Sequence, residues 1–135
     1  MHIDHIGIAV KDIEKAIKTY QKILNRPCYK RETVDQQSVE TAFFKTGESK
    51  VELLGATDPE SVISRFIEKR GEGLHHVAFE TNDLDREIER LKNEGFSLLS
   101  DSPQKGADNK RIIFLHPKDG NGVLIELCES MDETG

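Results

Sequence analysis

The sequence lacks tryptophan and has only two cysteines, Cys28 and Cys128, which lie far apart and belong to no CxxC pair. We therefore expect free thiols rather than a disulfide framework or a cysteine-based zinc site. No apolar run approaches the roughly 20 residues that a membrane-spanning helix needs. The N-terminus also shows no signal-peptide pattern. These absences predict a cytoplasmic protein without a membrane partner.

Charge is plentiful but unclustered. The chain has 25 Asp and Glu residues against 19 Lys and Arg residues, which gives a formal net charge of −6. Because the basic residues form no stripe or cluster along the sequence, we expect no nucleic-acid partner. A length of 135 residues suits one domain, so the predicted domain covers residues 1–135.

The sequence repeats itself at an offset of about 71 residues. The matching segments are HIGIAVKDIEKAI (5–17) with HVAFETNDLDREI (76–88), VETAFF (39–44) with KRIIFL (110–115), and KVELL (50–54) with VLIEL (123–127). Three matches in the same order indicate a duplication. They predict two modules, at about 1–56 and 72–130, that share one domain.

Each module is predicted to form a strand, a helix and three further strands. Asp12 and Asp83 are the expected N-caps of the two helices, which extend to about Leu24 and Glu94. Apolar residues recur on one side of each helix at the spacing of an amphipathic helix. The pattern therefore indicates helices that pack one face against a sheet.

A linking helix and a turn complete the predicted elements. Asp58-Pro59 is typical of a helix start, with proline at the first helical position, and predicts a helix over about 59–70 that ends near Gly71. The stretch 119–122, Asp-Gly-Asn-Gly, predicts a hairpin turn before the last strand.

Ionisable residues interrupt the apolar pattern of four strands. They are His5, Glu52, His76 and Glu126. Because side chains alternate across a strand, each lies opposite apolar neighbours that pack on the helices. Buried carboxylates need a partner, and two neutral imidazoles with two carboxylates balance one divalent cation of the zinc, nickel, cobalt or manganese type. We therefore predict one divalent ion per chain held by these four residues, with His75 as the rival of His76.

These residues lie in segments that resemble the vicinal oxygen chelate superfamily, which includes glyoxalase I and methylmalonyl-CoA epimerase. The similarity covers about residues 2–129. The segments that carry it are DHIGIAVKDIEKAI (4–17), GEGLHHVAFE (71–80), RIIFLHPK (111–118) and GVLIEL (122–127). The resemblance is closest to the epimerase branch. It implies an α+β fold in which tandem βαβββ modules form a curved eight-stranded mixed sheet, and it implies a homodimer.

The resemblance also implies a chemistry, namely proton abstraction at C2 of an acyl-CoA substrate through a metal-stabilised enolate, with cobalt as the expected ion. Glu40 and Glu126 would be the acid/base groups. Glu52 departs from the best-known epimerases, which carry Gln at that ligand position, and agrees with glyoxalase I. Candidate cations for the CoA portion are Arg31, Lys105, Lys110 and Arg111.

Other functions within the same superfamily remain alternatives. Glyoxalase I, which joins methylglyoxal and glutathione, is the nearest enzyme and is favoured by Glu52. A metal-free binding or resistance protein of the same fold would lack a complete set of ligands. A ring-cleaving dioxygenase would use two histidines and one carboxylate on iron, and the fourth candidate ligand here argues against it.

Overall fold

The computed structural model describes residues 1–131, which divide into two compact units. One unit comprises residues 5–75, and the other comprises residues 1–4 with the chain from His76 onward. The strands are β1 (His2–Val10), β2 (Lys30–Val34), β3 (Val39–Thr46), β4 (Ser49–Ala56), β5 (Gly73–Glu80), β6 (Gln104–Gly106), β7 (Lys110–Leu115) and β8 (Ile125–Ser130). The helices are α1 (Ile13–Leu24), α2 (Val62–Arg70) and α3 (Leu84–Asn93).

The unit of residues 5–75 has the strand order β2-β3-β4-β1. β1 runs parallel to β4, whereas β3 is antiparallel to both of its neighbours. One face of these strands packs on α1, in a core made of Val10, Ile17, Ala42, Phe44, Val51 and Leu53. The other face packs at one end on α2, in a smaller core made of Ala9, Val39, Leu54 and Ile63.

The second unit repeats this arrangement with the order β5-β8-β7-β6. β5 is parallel to β8, and the remaining pairs are antiparallel. Its main core, against α3, consists of Leu84, Ile88, Leu91, Ile113, Leu115 and Leu127. Residues 2–56 and 73–130 therefore each run through one strand, one helix and three strands, as predicted.

The predicted N-caps of the two main helices are confirmed. The Asp12 carboxylate accepts a hydrogen bond from the backbone N–H of Lys15 at 3.2 Å. The Asp83 carboxylate accepts one from the N–H of Arg86 at 3.1 Å. Each contact satisfies a backbone donor that the first helical turn leaves unpaired. In the described part of the chain, no helix is long and apolar enough to span a membrane.

The linking helix begins later than expected, at Val62 rather than near residue 59. Ser61 is its N-cap, because its Oγ accepts a hydrogen bond from the N–H of Ser64 at 3.1 Å. The preceding residues form a turn instead, in which the Ser61 N–H donates to the carbonyl of Asp58 at 3.0 Å. The proline in this stretch therefore belongs to the turn and not to the helix.

The expected hairpin turn at 119–122 is replaced by a short 3₁₀ helix, Pro117–Gly120. His116 caps this helix, since its Nδ1 accepts a hydrogen bond from the N–H of Lys118 at 3.2 Å. Asn121 then adopts a left-handed conformation with φ 59°. The local cap by His116 thus lengthens the connection between β7 and β8 beyond a tight turn.

Candidate metal centre

The first candidate pair of ligands lies in the unit of residues 5–75. His5 on β1 and Glu52 on β4 are both buried, and His5 Nδ1 lies 3.2 Å from Glu52 Oε2. The neighbours of Glu52 on the adjacent strands are Gly7 and Phe43. Gly7 has no side chain to cover the carboxylate, and Phe43 forms an apolar wall beside it. We call this side of the strands the Glu52 face.

The second pair has the same arrangement in the other unit. His76 Nε2 lies 3.4 Å from Glu126 Oε1, and both side chains are buried. Glu126 is flanked on the adjacent strands by Ala78 and Phe114. The edge of the His76 ring packs on Phe114, with ring centroids 5.8 Å apart. We call this side the Glu126 face.

The neighbours of the two pairs match across the duplication. Ala78 stands 71 positions after Gly7, and Phe114 stands 71 positions after Phe43. Each pair offers an imidazole nitrogen and a carboxylate oxygen, which are donors that first-row divalent ions accept. Buried carboxylates are hydrogen-bonded, paired with a cation, bound to a metal or protonated. By donor chemistry and by charge, each pair therefore suits half of a divalent metal site.

The structure places Glu40 away from the Glu52 face. Its neighbour on β4 is Gly55, which lies so close to α1 that a Cβ there would be 3.2 Å from the Cβ of Ile13. Direct partners in an antiparallel pair share a face, so Glu40 lies on the α1 side. Its carboxylate accepts a hydrogen bond from Arg31 Nε at 2.7 Å, and Arg31 also pairs with Glu14 of α1.

This geometry contradicts the expected acid/base role of Glu40 beside the ligand pair. Thr41, the next residue, shares the Glu52 face with Phe43 and is 2% exposed. Strand alternation alone left the face of Glu40 open, and the register of β3 against β4 decides it. A carboxylate that pairs with a guanidinium and points to a helix is a structural ion pair.

Lys110 is held inside the second unit rather than presented to a ligand. Its Nζ donates to Glu80 at 2.6 Å, to Ser130 Oγ at 3.0 Å and to Asp4 at 3.2 Å. Burial opposes the ionisation of Glu80, but hydrogen bonds from Lys110 and Ser130 outweigh it and lower the pKa of Glu80 below its ordinary value. The Lys110 network is therefore charged and internally paired.

Both candidate arginines are also paired within the chain. Arg111 binds Asp85 of α3 at 2.9 Å and Glu129 of β8 at 3.2 Å. These carboxylates raise the pKa of Arg111 further above its ordinary value. Of the four cations expected to bind CoA, Arg31, Lys110 and Arg111 thus have carboxylate partners of their own.

The two thiols are free, as expected. Cys128 is fully buried on the Glu126 face, two residues after Glu126. It packs with Ala78, Ile112 and Phe114. The thiol is a packing group there.

Comparison with known proteins agrees with the fold. The chain matches the sequence profile of the Glyoxalase/Bleomycin resistance protein/Dioxygenase superfamily over residues 4–114. It is 36% identical over 127 residues to an ethylmalonyl-CoA/methylmalonyl-CoA epimerase of Cereibacter sphaeroides, covering 93% of this chain and 95% of that protein.

Solved structures give the same result. A methylmalonyl-CoA epimerase from Mycobacterium tuberculosis superposes with a TM-score of 0.93 at 36% identity, over 98% of this chain and 89% of that chain. A Streptomyces coelicolor methylmalonyl-CoA epimerase in complex with 2-nitronate-propionyl-CoA also gives 0.93 at 36% identity, over 98% and 99%. These matches confirm the expected glyoxalase-like fold class with its eight-stranded mixed sheet.

Proposed function

The chain belongs to the glyoxalase/bleomycin resistance protein/dioxygenase superfamily, and on that premise we propose that it is a metal-dependent epimerase that interconverts (R)- and (S)-methylmalonyl-CoA. The observation that carries the proposal is the buried His–Glu pair repeated in each unit. The substrate class is supported by relatives that are epimerases of methylmalonyl-CoA and by a related enzyme in complex with a propionyl-CoA derivative.

The ligand set that we propose consists of His5, Glu52, His76 and Glu126, which together hold one divalent ion, with cobalt as the first candidate and zinc, nickel or manganese as alternatives. The support is the donor chemistry of the two pairs and their equivalence in the duplication. When bound, such an ion supplies a Lewis acid that stabilises an enolate at the thioester carbonyl.

Proton transfer is the part of the reaction that the side chains perform. Inversion at C2 needs one group that removes a proton on one side and another that returns it on the opposite side. We assign one role to Glu126, as the resemblance implies. We do not assign the other role to Glu52, because the best-known epimerases have glutamine at this position and glutamine cannot transfer a proton, nor to Glu40, which lies on the α1 side of its sheet.

The neighbours of Glu126 suit proton transfer, and those of its counterpart Glu52 are of the same kind. Phe43 and Phe114 border the carboxylates with aromatic surface, which excludes water and strengthens electrostatic interactions with a reacting group. Gly7 and Ala78 take little space on the opposite side of each carboxylate. Each glutamate therefore has an aromatic neighbour that excludes water on one side and a small residue on the other.

We further propose that the enzyme works in the cytoplasm as a homodimer. Glyoxalase I is the second candidate function, because Glu52 is the residue that the resemblance associates with that enzyme. The epimerase proposal is preferred because the relatives described above act on methylmalonyl-CoA or ethylmalonyl-CoA, according to their names.

The test is proton NMR of the cobalt-loaded protein with methylmalonyl-CoA in deuterated water. The wild type should exchange the C2 proton for deuterium. Glu126→Gln should slow the exchange by about 10²–10⁴-fold, the usual range for loss of a general acid or base. Glu40→Gln is the matched control and should stay within about threefold of the wild type.

Glu52→Gln separates two roles of Glu52, since glutamine keeps an oxygen ligand but cannot carry the proton. We expect normal cobalt content and exchange within about threefold of the wild type, because glutamine is the ligand of the best-known epimerases at this position. Exchange slowed by about 10²-fold or more at normal cobalt content would instead assign proton transfer to Glu52. No exchange by the metal-loaded wild type would refute the epimerase, and turnover of methylglyoxal with glutathione would then establish glyoxalase I.

A further inference from the structure

We propose that Glu32 is the second acid/base group of the reaction, the one that transfers the C2 proton on the side of the substrate opposite to Glu126. The inference rests on the proposed function and completes its proton transfer, in which only Glu126 has a role so far. Glu32 stands on β2, the last strand at one edge of the residue 5–75 unit. Strand register and two contacts of its neighbour Lys30 support this role.

Glu32 lies on the Glu52 face. It stands directly opposite Thr41 of β3, and Thr41 stands opposite Leu54 of β4, two residues after Glu52. Direct partners in an antiparallel pair share a face, and side chains alternate along a strand. Glu32 and Glu52 therefore project to the same side. In the strands of this unit that the structure describes, Glu32 is the one carboxylate besides Glu52 on that side.

A chain of contacts draws the Glu32 carboxylate toward the ligand pair. Its Oε1 lies 3.5 Å from Lys30 Nζ. That ammonium lies 5.0 Å from the centroid of the Phe43 ring, within cation–π range. Phe43 is the direct partner of Lys30 on one side and of Glu52 on the other. The carboxylate is therefore held beside the row of residues that ends at Glu52.

Thr41 leaves space for the longer side chain of Glu32. The Cβ atoms of direct partners lie about 4.5–5.5 Å apart, and a threonine side chain ends one atom beyond its Cβ. The glutamate carboxylate extends two atoms further from its own strand and can lie over the threonine. Thr41 is 2% exposed, which agrees with such a cover. Glu32 can therefore reach inward from the edge strand.

Glu80 is the comparable carboxylate on the Glu126 face, and it is bound more tightly. Its Oε2 accepts hydrogen bonds from Lys110 Nζ at 2.6 Å and from Ser130 Oγ at 2.7 Å. The contact of Glu32 with Lys30 is longer, and the Glu32 side chain is 30% exposed. A carboxylate in a loose pair at the edge of a sheet can accept a proton and exchange it with water. Glu32 suits this work better than Glu80.

The step transfers one proton at each side of C2. When the C2 proton faces Glu32, the carboxylate accepts that proton, and the electron pair of the broken C–H bond moves into the enolate. Glu126 then donates its own proton from the other side, and the enolate electron pair forms the new C–H bond. Glu32 is left protonated and Glu126 ionised, and proton exchange with water resets both. The reaction from the other epimer exchanges the two roles.

The experiment follows each epimer separately, with cobalt-loaded protein in deuterated water. The wild type should exchange and invert both epimers. Glu32→Gln should slow inversion by about 10²–10⁴-fold, the usual range for loss of a general acid or base. It should still exchange the C2 proton of the epimer whose proton faces Glu126, because that transfer does not need Glu32. Exchange from the other epimer should fall as far as inversion does.

Lys30→Met is the matched control, because it removes the ion pair and keeps the carboxylate. It should slow inversion less than Glu32→Gln does and should affect both epimers equally. Glu32→Asp, which keeps a carboxylate on a shorter side chain, should recover part of the loss. Circular dichroism and cobalt content should match the wild type in all three variants.

Three results would overturn the role of Glu32. They are unchanged inversion by Glu32→Gln, an equal loss of exchange from both epimers at normal cobalt content, and equal effects of Glu32→Gln and Lys30→Met. Failure of the wild type to exchange either epimer would instead refute the proposed function.

Discussion

Both units have a His–Glu pair on one face of their strands, and they differ at one end of that face. In the residue 5–75 unit that end holds Ala9, Val39 and Ala56, which lie near or under the linking helix. The equivalent positions in the other unit, 71 to 74 residues later, hold Glu80, Lys110 and Ser130, which form a charged network. The same position in the fold is thus apolar in one half and ionic in the other.

The difference follows from the linking helix. α2 covers the end of the Glu52 face with Ile63, so apolar residues are stable there. At the corresponding end of the Glu126 face in the second unit, Lys110 pairs with Asp4 and Glu80 instead. The duplication has kept the geometry around the ligand pair and has diverged where the chain connectivity of the halves differs.

The outer faces show the same divergence in ion pairs. Glu14 of α1 and Asp85 of α3 stand 71 positions apart and each binds an arginine. The arginines are not equivalent, because Arg111 occupies the position that corresponds to Glu40, whose partner is Arg31. Glu40 and Arg111 therefore have opposite charges at the same repeat position, yet each takes part in ion pairs that join a helix to its sheet.

The largest loss of stability should follow from removing the cation of the charged network formed by Glu80, Lys110 and Ser130. Lys110→Met leaves the carboxylates of Asp4 and Glu80 without their cation, and we expect a loss of about 3–5 kcal/mol in the free energy of unfolding. Lys105→Met on exposed β6 is the control. Denaturant titration measures both, and a loss below about 1 kcal/mol for Lys110→Met would show that the network contributes little.

The same variant should change the pH dependence of stability. The pKa of Glu80 is below its ordinary value of 4.5 in the folded wild type, so the unfolded state binds the proton more readily. Glu80 therefore contributes stability above that value, and the contribution is lost as the pH falls through the folded pKa. Lys110→Met should lack this loss, which denaturant titrations at about pH 6 and about pH 3.5 would detect.

Stability should fall less when an apolar side chain is shortened at the end of the Glu52 face that α2 covers. Ile63 is 3% exposed under the Glu52 face, and Ile63→Ala should cost about 2–4 kcal/mol through a cavity. Val62→Ala is the neighbouring control, since Val62 is 63% exposed and should change stability by less than about 0.5 kcal/mol. Similar losses for both variants would mean that α2 does not close this face.

The smallest effect should come from the outer ion pairs. Arg111→Met removes contacts to Asp85, which is 70% exposed, and to Glu129 from a guanidinium group that is itself 35% exposed, so we expect a loss below about 1 kcal/mol. The loss should shrink in about 0.5 M salt, because salt screens exposed charges. A loss as large as that of Lys110→Met would contradict the distinction between the two kinds of pair.

The sequence predicted that the four candidate ligands lie on buried strands but not on which face Glu40 lies. His5 and Glu52 could be assigned because strand alternation sets each against apolar neighbours on the helix side. Glu40 shares a face of its strand with Ala42 and Phe44 and lies opposite Thr41 and Phe43, which left both faces open. Only the register, with Glu40 opposite Gly55 next to α1, shows which side it occupies.

The central claim is that the two His–Glu pairs hold a single ion, and cobalt stoichiometry by native mass spectrometry tests it most directly. The wild type should bind one ion per chain. His5→Ala and His76→Ala, checked for folding by circular dichroism, should each bind none under the same conditions, because each removes one of four ligands. Two ions in the wild type, or one ion retained by each variant, would show that the halves bind metal separately and would contradict the account.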